Sequence, residues 1–343
     1  MKIALIGLPQ TGKRTLFTLL TDRLVPESRR AGDVVEGISQ VWDLRVDELS
    51  RIFNPKKTTY AENHFVLCPD ADTSGNSYEW LAAARRCQLV CLVLRAFESD
   101  SVYHPTGSVD PERDREVLEA ELLLSDMDTV ETRLERLAKE SKSGLRPEQK
   151  VEQRTLFSCA QCLEEGQPLS SLDLADIDYR SIRSLDLVTF LPLLAVYNVS
   201  EDDLGRKLPA GAVAVSCQIE SEIAAFETEE ERGEYLRELG VSTTGLDRVS
   251  NAAYDALGLM SFYTVGEDEC RAWTIHKDSS APVAGGQIHS DIERGFIRAE
   301  IIKYDDFLSA GLESEVRNRG QLQTRGRDYI LQDGDIVHFL FRV

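Results

Sequence analysis

The chain is short of basic charge. Its 343 residues carry 39 Lys and Arg against 59 Asp and Glu, a formal net charge of −20 at pH 7. A protein that coats nucleic acid through charge alone needs the opposite balance, so that class is excluded and no DNA partner is expected. RNA contact through one local basic cleft stays open. The acidic run Glu229-Glu230-Glu231 reads as a solvated helix face. Long apolar runs are also missing. No stretch of about 18 apolar residues occurs, so neither a transmembrane helix nor a membrane partner is expected. The start, Met1-Lys2-Ile3-Ala4-Leu5-Ile6-Gly7, reads as a buried strand opening a domain and not as a signal peptide.

Paired cysteines are lacking too. The seven are Cys68, Cys87, Cys91, Cys159, Cys162, Cys217 and Cys270. An odd number without a signal peptide fits reduced thiols in the cytoplasm. Cys159-Ala160-Gln161-Cys162 is a lone CxxC with no second pair or nearby His to complete a zinc site, so it reads as helix packing and no metal site is assigned. His64, His104, His276, His289 and His338 are scattered, and none sits in the Ser/Asp or Cys pattern that a hydrolase needs. They read as packing or surface, and no catalytic residue is assigned. Internal repeats and low-complexity segments are absent.

What is there fits a soluble globular protein, with 42% hydrophobic and 29% charged residues. The length suffices for a large core and two or three domains. Short apolar strands at Lys2–Ile6, Phe65–Leu67, Leu89–Leu94, Pro192–Tyr197 and Val213–Val215 alternate with helical patterns such as Thr15–Leu20 and Tyr78–Arg86. That alternation predicts an α/β domain with a parallel sheet covered by helices on both faces. Between Pro111 and Gly166 no strand signal appears. Leu118, Leu122, Met127, Val130, Leu134 and Leu137 recur at helical spacing, and Ser143-Gly144-Leu145-Arg146-Pro147 breaks the pattern. An inserted antiparallel helical hairpin is expected there. After Gly266, Arg271–Ile275, Gly295–Ile302 and Ile336–Phe341 read as strands and Asp333-Gly334-Asp335 as a turn, which makes a small, mostly β domain. The expected boundaries are 1–114 and 183–265 for the α/β domain, 115–182 for the insert and 266–343 for the β domain.

One motif carries chemistry. Gly7-Leu8-Pro9-Gln10-Thr11-Gly12-Lys13-Arg14-Thr15 follows the first strand, opens a helix and matches G-x-x-x-x-G-K, the phosphate loop of P-loop NTPases. Successive backbone N–H groups and the positive end of the helix cradle phosphate oxygens. Gly12 lets the backbone come close, and Lys13 reaches the β/γ-phosphates as a point charge. A hydroxyl normally follows the Lys and holds Mg²⁺. Here Arg14 stands there, which puts Mg²⁺ in question. The alternative is a phosphate loop kept as a turn after its ligand was lost. Asn198-Val199-Ser200-Glu201 follows a strand where P-loop GTPases carry N-K-x-D, whose Asp accepts from guanine. Val199 replaces the Lys and Glu201 the Asp. One extra methylene moves the carboxylate, so guanine loses its paired acceptor. Ser216-Cys217-Gln218 is positioned to line the base pocket. The expected nucleotide-binding residues are therefore Pro9, Gln10, Thr11, Gly12, Lys13, Arg14, Thr15, Asn198, Val199, Glu201, Ser216, Cys217 and Gln218.

Taken in order, several stretches resemble the YchF family, the Obg-like ATPases. They are the phosphate loop through Leu16-Phe17, Arg95-Ala96-Phe97, Val109-Asp110-Pro111-Glu112-Arg113-Asp114, Thr129 to Leu137, and Asn198 to Glu201. In the C-terminal part they are Leu257 to Thr264, Arg271-Ala272-Trp273-Thr274, Ile288-His289-Ser290-Asp291, Gly295 to Glu300, Tyr304-Asp305-Asp306-Phe307 and Asp328 to Asp335. The resemblance implies a P-loop NTPase domain with an inserted helical hairpin and a C-terminal TGS domain, a ubiquitin-like β-grasp. It also implies an ATP or GTP cofactor with ATP favoured, and a ribosome partner. The departures are local. Arg14 stands where the family has Ser, and its threonine-bearing loop has no clear match within Leu24–Trp42. Its D-x-x-G switch should follow Phe65-Val66. Asp72-Thr73-Ser74-Gly75 formally fits D-x-x-G but in the wrong register, so Asp70 and Asp72 are the two acidic candidates. Weak or lost hydrolysis follows from these departures, with an interaction scaffold that no longer binds nucleotide as the alternative. Trp273 with Arg271 can stack on RNA, but a strand aromatic in a small β domain reads first as core.

Overall fold

The structure, a computed structural model, describes residues 1–26, 33–73, 78–141 and 144–342. Among these, the strands of the first half are β1 (Lys2–Ile6), β2 (Val35–Val41), β3 (Lys57–Thr59), β4 (Ala61–Leu67), β5 (Leu89–Ala96), β6 (Leu193–Val199) and β7 (Val213–Val215). Those of the second half are β8 (Leu259–Thr264), β9 (Glu269–His276), β10 (Phe296–Lys303), β11 (Gln323–Arg325) and β12 (Asp335–Phe341). The helices used below are α1 (Lys13–Thr21), α2 (Leu44–Phe53), α3 (Pro111–Glu140), α4 (Pro147–Glu164), α5 (Asp176–Ile182) and α6 (Cys217–Ala225). No helix of the described residues is long and apolar enough to cross a membrane.

The chain divides into two compact units, residues 1–38 with 64–249 and residues 39–63 with 250–343. The first is built on a sheet of order β2-β4-β1-β5-β6-β7. β1 pairs in parallel with β4 and β5, β5 with β6, and β6 with β7. β5 is buried at every position, as a strand covered on both faces must be, and its unbroken apolar run is the sequence mark of that burial. Its core gathers Ala4, Ile6, Val66, Val90, Leu92 and Tyr197. The segment Tyr78–Arg86 is not the expected helix. It makes two 3₁₀ turns, Glu79–Leu81 and Ala84–Arg86, that bury Trp80, Leu81 and Ala84. Apolar residues three apart serve a 3₁₀ turn as well as an α-helix.

The inserted hairpin forms as its periodicity requires. Asp110 caps α3 by accepting the Arg113 N–H, and Pro111 opens the helix where no N–H is missed. α3 and α4 share a core of Val130, Leu137, Leu156, Cys159 and Cys162, and Arg133 grips Glu152 with two bonds of 2.6 and 2.9 Å. At the base of the hairpin the fully buried Asp126 accepts the Val188 and Thr189 N–H groups at 3.0 and 2.8 Å, the Thr189 hydroxyl at 2.8 Å, and Arg85 Nη1 at 2.9 Å. A buried carboxylate is tolerated only when its lone pairs are filled in this way. The sheet resumes at Leu193, after a 3₁₀ turn at Val188–Phe190 that Asp126 holds.

The second unit has the sheet order β11-β10-β12-β8-β9-β3. β8 and β9 pair antiparallel, as do β10 with β11 and with β12, while β12 lies parallel to β8. A last strand set between two hairpins and parallel to the first is the β-grasp order, in agreement with the family resemblance. The unit is larger than the expected 266–343. β8 lies ahead of that boundary yet sits between β9 and β12, and β3 adds an outer strand, parallel to β9. α2 contributes Val46 and Leu49 to a core with Tyr263, Ala272, Phe307 and Ile336. Short helices at Ala281–Ile288, Ser290–Gly295, Tyr304–Ala310 and Glu313–Asn318 make this unit more helical than its sequence pattern suggests. Trp273 is half-buried, stacks on Phe262, and carries the Arg271 guanidinium 3.9 Å from its ring centroid.

Candidate functional site

β1 delivers the chain to Gly7, where a Cβ would lie 2.6 Å from the Val93 carbonyl oxygen, so glycine is required. Gln10 and Gly12 take φ values of +65° and +85°. Left-handed residues set among right-handed ones are how backbone N–H groups converge into an anion-binding nest. Gly12 caps α1 without a side chain, the arrangement in which a helix start receives an anion in place of a capping oxygen. Thr11 is buried and donates its hydroxyl to Leu8 O at 3.2 Å.

Asn198, at the end of β6, holds this loop. Its Nδ2 donates to Thr11 O at 3.0 Å and its Oδ1 accepts the Cys217 N–H at 3.1 Å. Asn198 packs so close that a Cβ on Gly12 would come within 2.2 Å of Nδ2. The phosphate loop, the end of β6 and the start of α6 are thus joined through one amide. Ser216 caps α6 by accepting the Ile219 N–H, and burial pushes the Cys217 thiol up to about 12.

Lys13 is only 3% exposed. Its Nζ donates to Pro69 O at 2.8 Å and Gly7 O at 3.3 Å and meets Asp70 Oδ1 at 3.0 Å. Gly7 O also accepts the Ala71 N–H at 3.0 Å, which ties the segment after β4 to the loop. Between them opens a cleft of about 330 Å³, lined by Leu8, residues 10–15 and Asp70.

Of the thirteen expected residues, Thr11, Asn198 and Cys217 form one hydrogen-bonded group, with Gly12 packed against Asn198 and Lys13 next along the chain. Gln10, Arg14 and Thr15 are exposed and line the cleft, whereas Pro9 is half-buried and is not among its lining residues. Val199 is buried in the core. Glu201 lies on an exposed 3₁₀ turn, Glu201–Asp203, and the exposed Gln218 donates to Glu222 at 3.4 Å. Asp70 reaches Lys13. Asp72 is exposed, and Ser74 and Gly75 of its D-x-x-G match lie outside the described residues.

A Mg²⁺ ion in a P-loop site rests on the hydroxyl that follows the Lys. Arg14 offers donors only. Thr15 is about 100° further round the helix, and the carboxylate of Asp70 is already set on Lys13. This donor set does not fit the metal.

His104 is a packing residue, in keeping with its reading from the sequence, and the structure adds its partners. It is nearly fully buried, with Nε2 2.9 Å from Asp114 Oδ2 and Nδ1 accepting the Thr106 N–H at 3.2 Å, while Arg113 holds the other Asp114 oxygen. Both ring nitrogens are spent on structure. The ten-residue separation from Asp114 carries no local signal.

Comparison with known proteins identifies the family. The family model YchF-GTPase_C, described as "Protein of unknown function (DUF933)", matches residues 259–342. The chain is 36% identical to the ribosome-binding ATPase YchF of Bacillus subtilis, over 99% of this chain and 98% of the relative. It is 35% identical to the protein of that name from Escherichia coli O157:H7, over 100% and 99%. It is also similar to the solved structure of the Schizosaccharomyces pombe YchF GTPase, with a TM-score of 0.81 and 30% identity, covering 99% of this chain and 97% of that one.

Proposed function

The chain belongs to the YchF family, and from that premise we propose that it binds an adenine nucleotide at the loop of residues 9–15 and works with the ribosome in the cytoplasm. The observation that carries the nucleotide reading is the Asn198 bridge, since a loop kept only as a turn needs no amide spanning Thr11 and Cys217. The ribosome reading rests on the relatives, which are named ribosome-binding ATPases. With a net charge of −20, the contact surface is a local cleft and not a broad basic face.

ATP is favoured over GTP because Glu201 replaces the Asp that pairs with guanine. Guanine N–H groups left unpaired cost about 1–3 kcal/mol, so the preference is of order tenfold. Arg14 leaves no acceptor for Mg²⁺, and hydrolysis is slow or absent, far below the roughly 1–10³ s⁻¹ of typical enzymes. A second reading, a scaffold that binds no nucleotide, draws on the ion pair that already holds Lys13.

Calorimetric titration with ATP, GTP and ADP, with and without Mg²⁺, separates the two, the scaffold requiring that none of the three binds. The parent should bind ATP more tightly than GTP, and Lys13→Ala should lose about tenfold or more in affinity, since a charge-assisted bond is worth about 1.5–3 kcal/mol. Equal ATP binding by parent and Lys13→Ala would exclude the phosphate site, and no binding by the folded parent would favour the scaffold. Co-sedimentation with ribosomal particles at moderate salt tests the partner, and absence from every fraction in all nucleotide states excludes it.

A further inference from the structure

An ammonium group has three N–H bonds. Among the described residues, Pro69 O, Gly7 O and Asp70 Oδ1 stand as acceptors around Lys13 Nζ. Two are neutral carbonyls, and the third carries a full negative charge. The Lys13 side chain is 3% exposed and that of Asp70 45%, and both line the cleft above the loop. The carboxylate therefore lies between a buried cation and open solvent, in the direction from which a ligand arrives.

In a phosphate loop the backbone cradles the α- and β-phosphates, and the Lys extends to the β- and γ-phosphates. A carboxylate on Lys13 thus holds the contact that a third phosphoryl group would take. We propose that Asp70 is a specificity-determining residue that makes this loop a site for a nucleoside diphosphate in preference to a triphosphate. The proposal rests on the loop being an adenine-nucleotide site, as above. A diphosphate can settle in the backbone cradle and leave the Lys13–Asp70 pair intact. A triphosphate sets further negative charge against the carboxylate, or else forces Asp70 to surrender its cation. The one positive charge of Lys13 cannot answer both anions. Arg14 lines the cleft but is exposed, so water and salt screen its charge. With no hydroxyl after Lys13, a metal has no place to mediate between them.

The experiment is a calorimetric titration of the full chain and of Asp70→Asn with ADP and with ATP, in EDTA. Asn keeps the size and removes the charge, and thermal melting confirms that both proteins are folded. The parent should prefer ADP by about tenfold, the scale of one poorly screened charge contact. In Asp70→Asn the ATP affinity should rise, the ADP affinity should hardly change, and the ratio should approach one. ATP binding that appears only in Asp70→Asn would support the same competition in its extreme form. A ratio unchanged by the substitution, or a parent that prefers ATP, overturns the role of Asp70 and leaves the adenine-nucleotide site standing. Failure of both folded proteins to bind either nucleotide overturns the site itself and this proposal with it.

Discussion

Replacing Asn198 by Ala tests the central joint of the site. The substitution removes the amide that donates to Thr11 O at 3.0 Å and accepts the Cys217 N–H at 3.1 Å. Thr11 and Cys217 are 2% and 5% exposed, so water cannot replace either bond without opening the loop. A buried group stranded in this way costs about 1–3 kcal/mol, and the carbonyl costs less than the N–H because its second lone pair can be served elsewhere. The two together come to roughly 2–4 kcal/mol. For a unit in the size class of 150–250 residues, that lowers Tm by roughly 5–15 °C. Nucleotide affinity should also fall by about tenfold, because the loop is no longer held in its binding shape. Asn198→Asp keeps an acceptor for Cys217 but turns a second carboxylate oxygen toward the Thr11 carbonyl, and should be as damaging. Differential scanning calorimetry and nucleotide titration read both effects. An Asn198→Ala protein that melts within about a degree of the parent and binds nucleotide equally would refute the idea that this amide holds the loop.

Asp126→Ala should destabilise the base of the helical hairpin by about 3–5 kcal/mol, since it strands the Val188 and Thr189 N–H groups and takes the carboxylate from Arg85, which keeps only neutral partners on Ser125 and Asp186. Hydrogen exchange should quicken first at residues 185–190, and unchanged protection there would count against it. Arg14→Ser should make nucleotide binding respond to Mg²⁺ with little gain in hydrolysis, and binding still indifferent to EDTA would dismiss the part given to Arg14. Burial raises the Cys91, Cys159 and Cys217 thiols from 9.0 to about 12. Their folded forms hold the proton where unfolded thiols lose it, so this part of the stability is intact below about pH 9 and is lost as pH rises toward 12. The same thiols should resist an aromatic disulfide reagent at pH 8 until the protein unfolds, and rapid labelling of the native chain would contradict their burial.

Much of the first unit was legible because its signals are local. β1, the Gly7–Lys13 spacing, the apolar run of β5 and the heptad-like spacing of α3 each lie within one short window, where backbone period and side-chain burial speak together. β2 was not legible. Its inward and outward positions alternate regularly in Val35–Val41, but the residue types do not follow them: Gly37 and Ser39 stand at inward positions and Ile38 is exposed. The β domain was readable in kind but not in extent, because the strand that completes it, β8, resembles any buried strand until its partners β9 and β12 are known.

The sequence alone determined the phosphate loop, the helical insert, the β-grasp end and the family to which they belong, since these rest on residues close in the chain. Only the tertiary structure decided that residues 39–63 join the C-terminal unit, that Asn198 grips Thr11 and Cys217, and that Asp70 sits on Lys13. Those pairings span tens to hundreds of positions. Hydrogen bonds and ion pairs act over about 3 Å in space and are indifferent to separation along the chain. A pattern read along one strand or helix therefore cannot contain them, and the packing of strands brought from distant segments creates them.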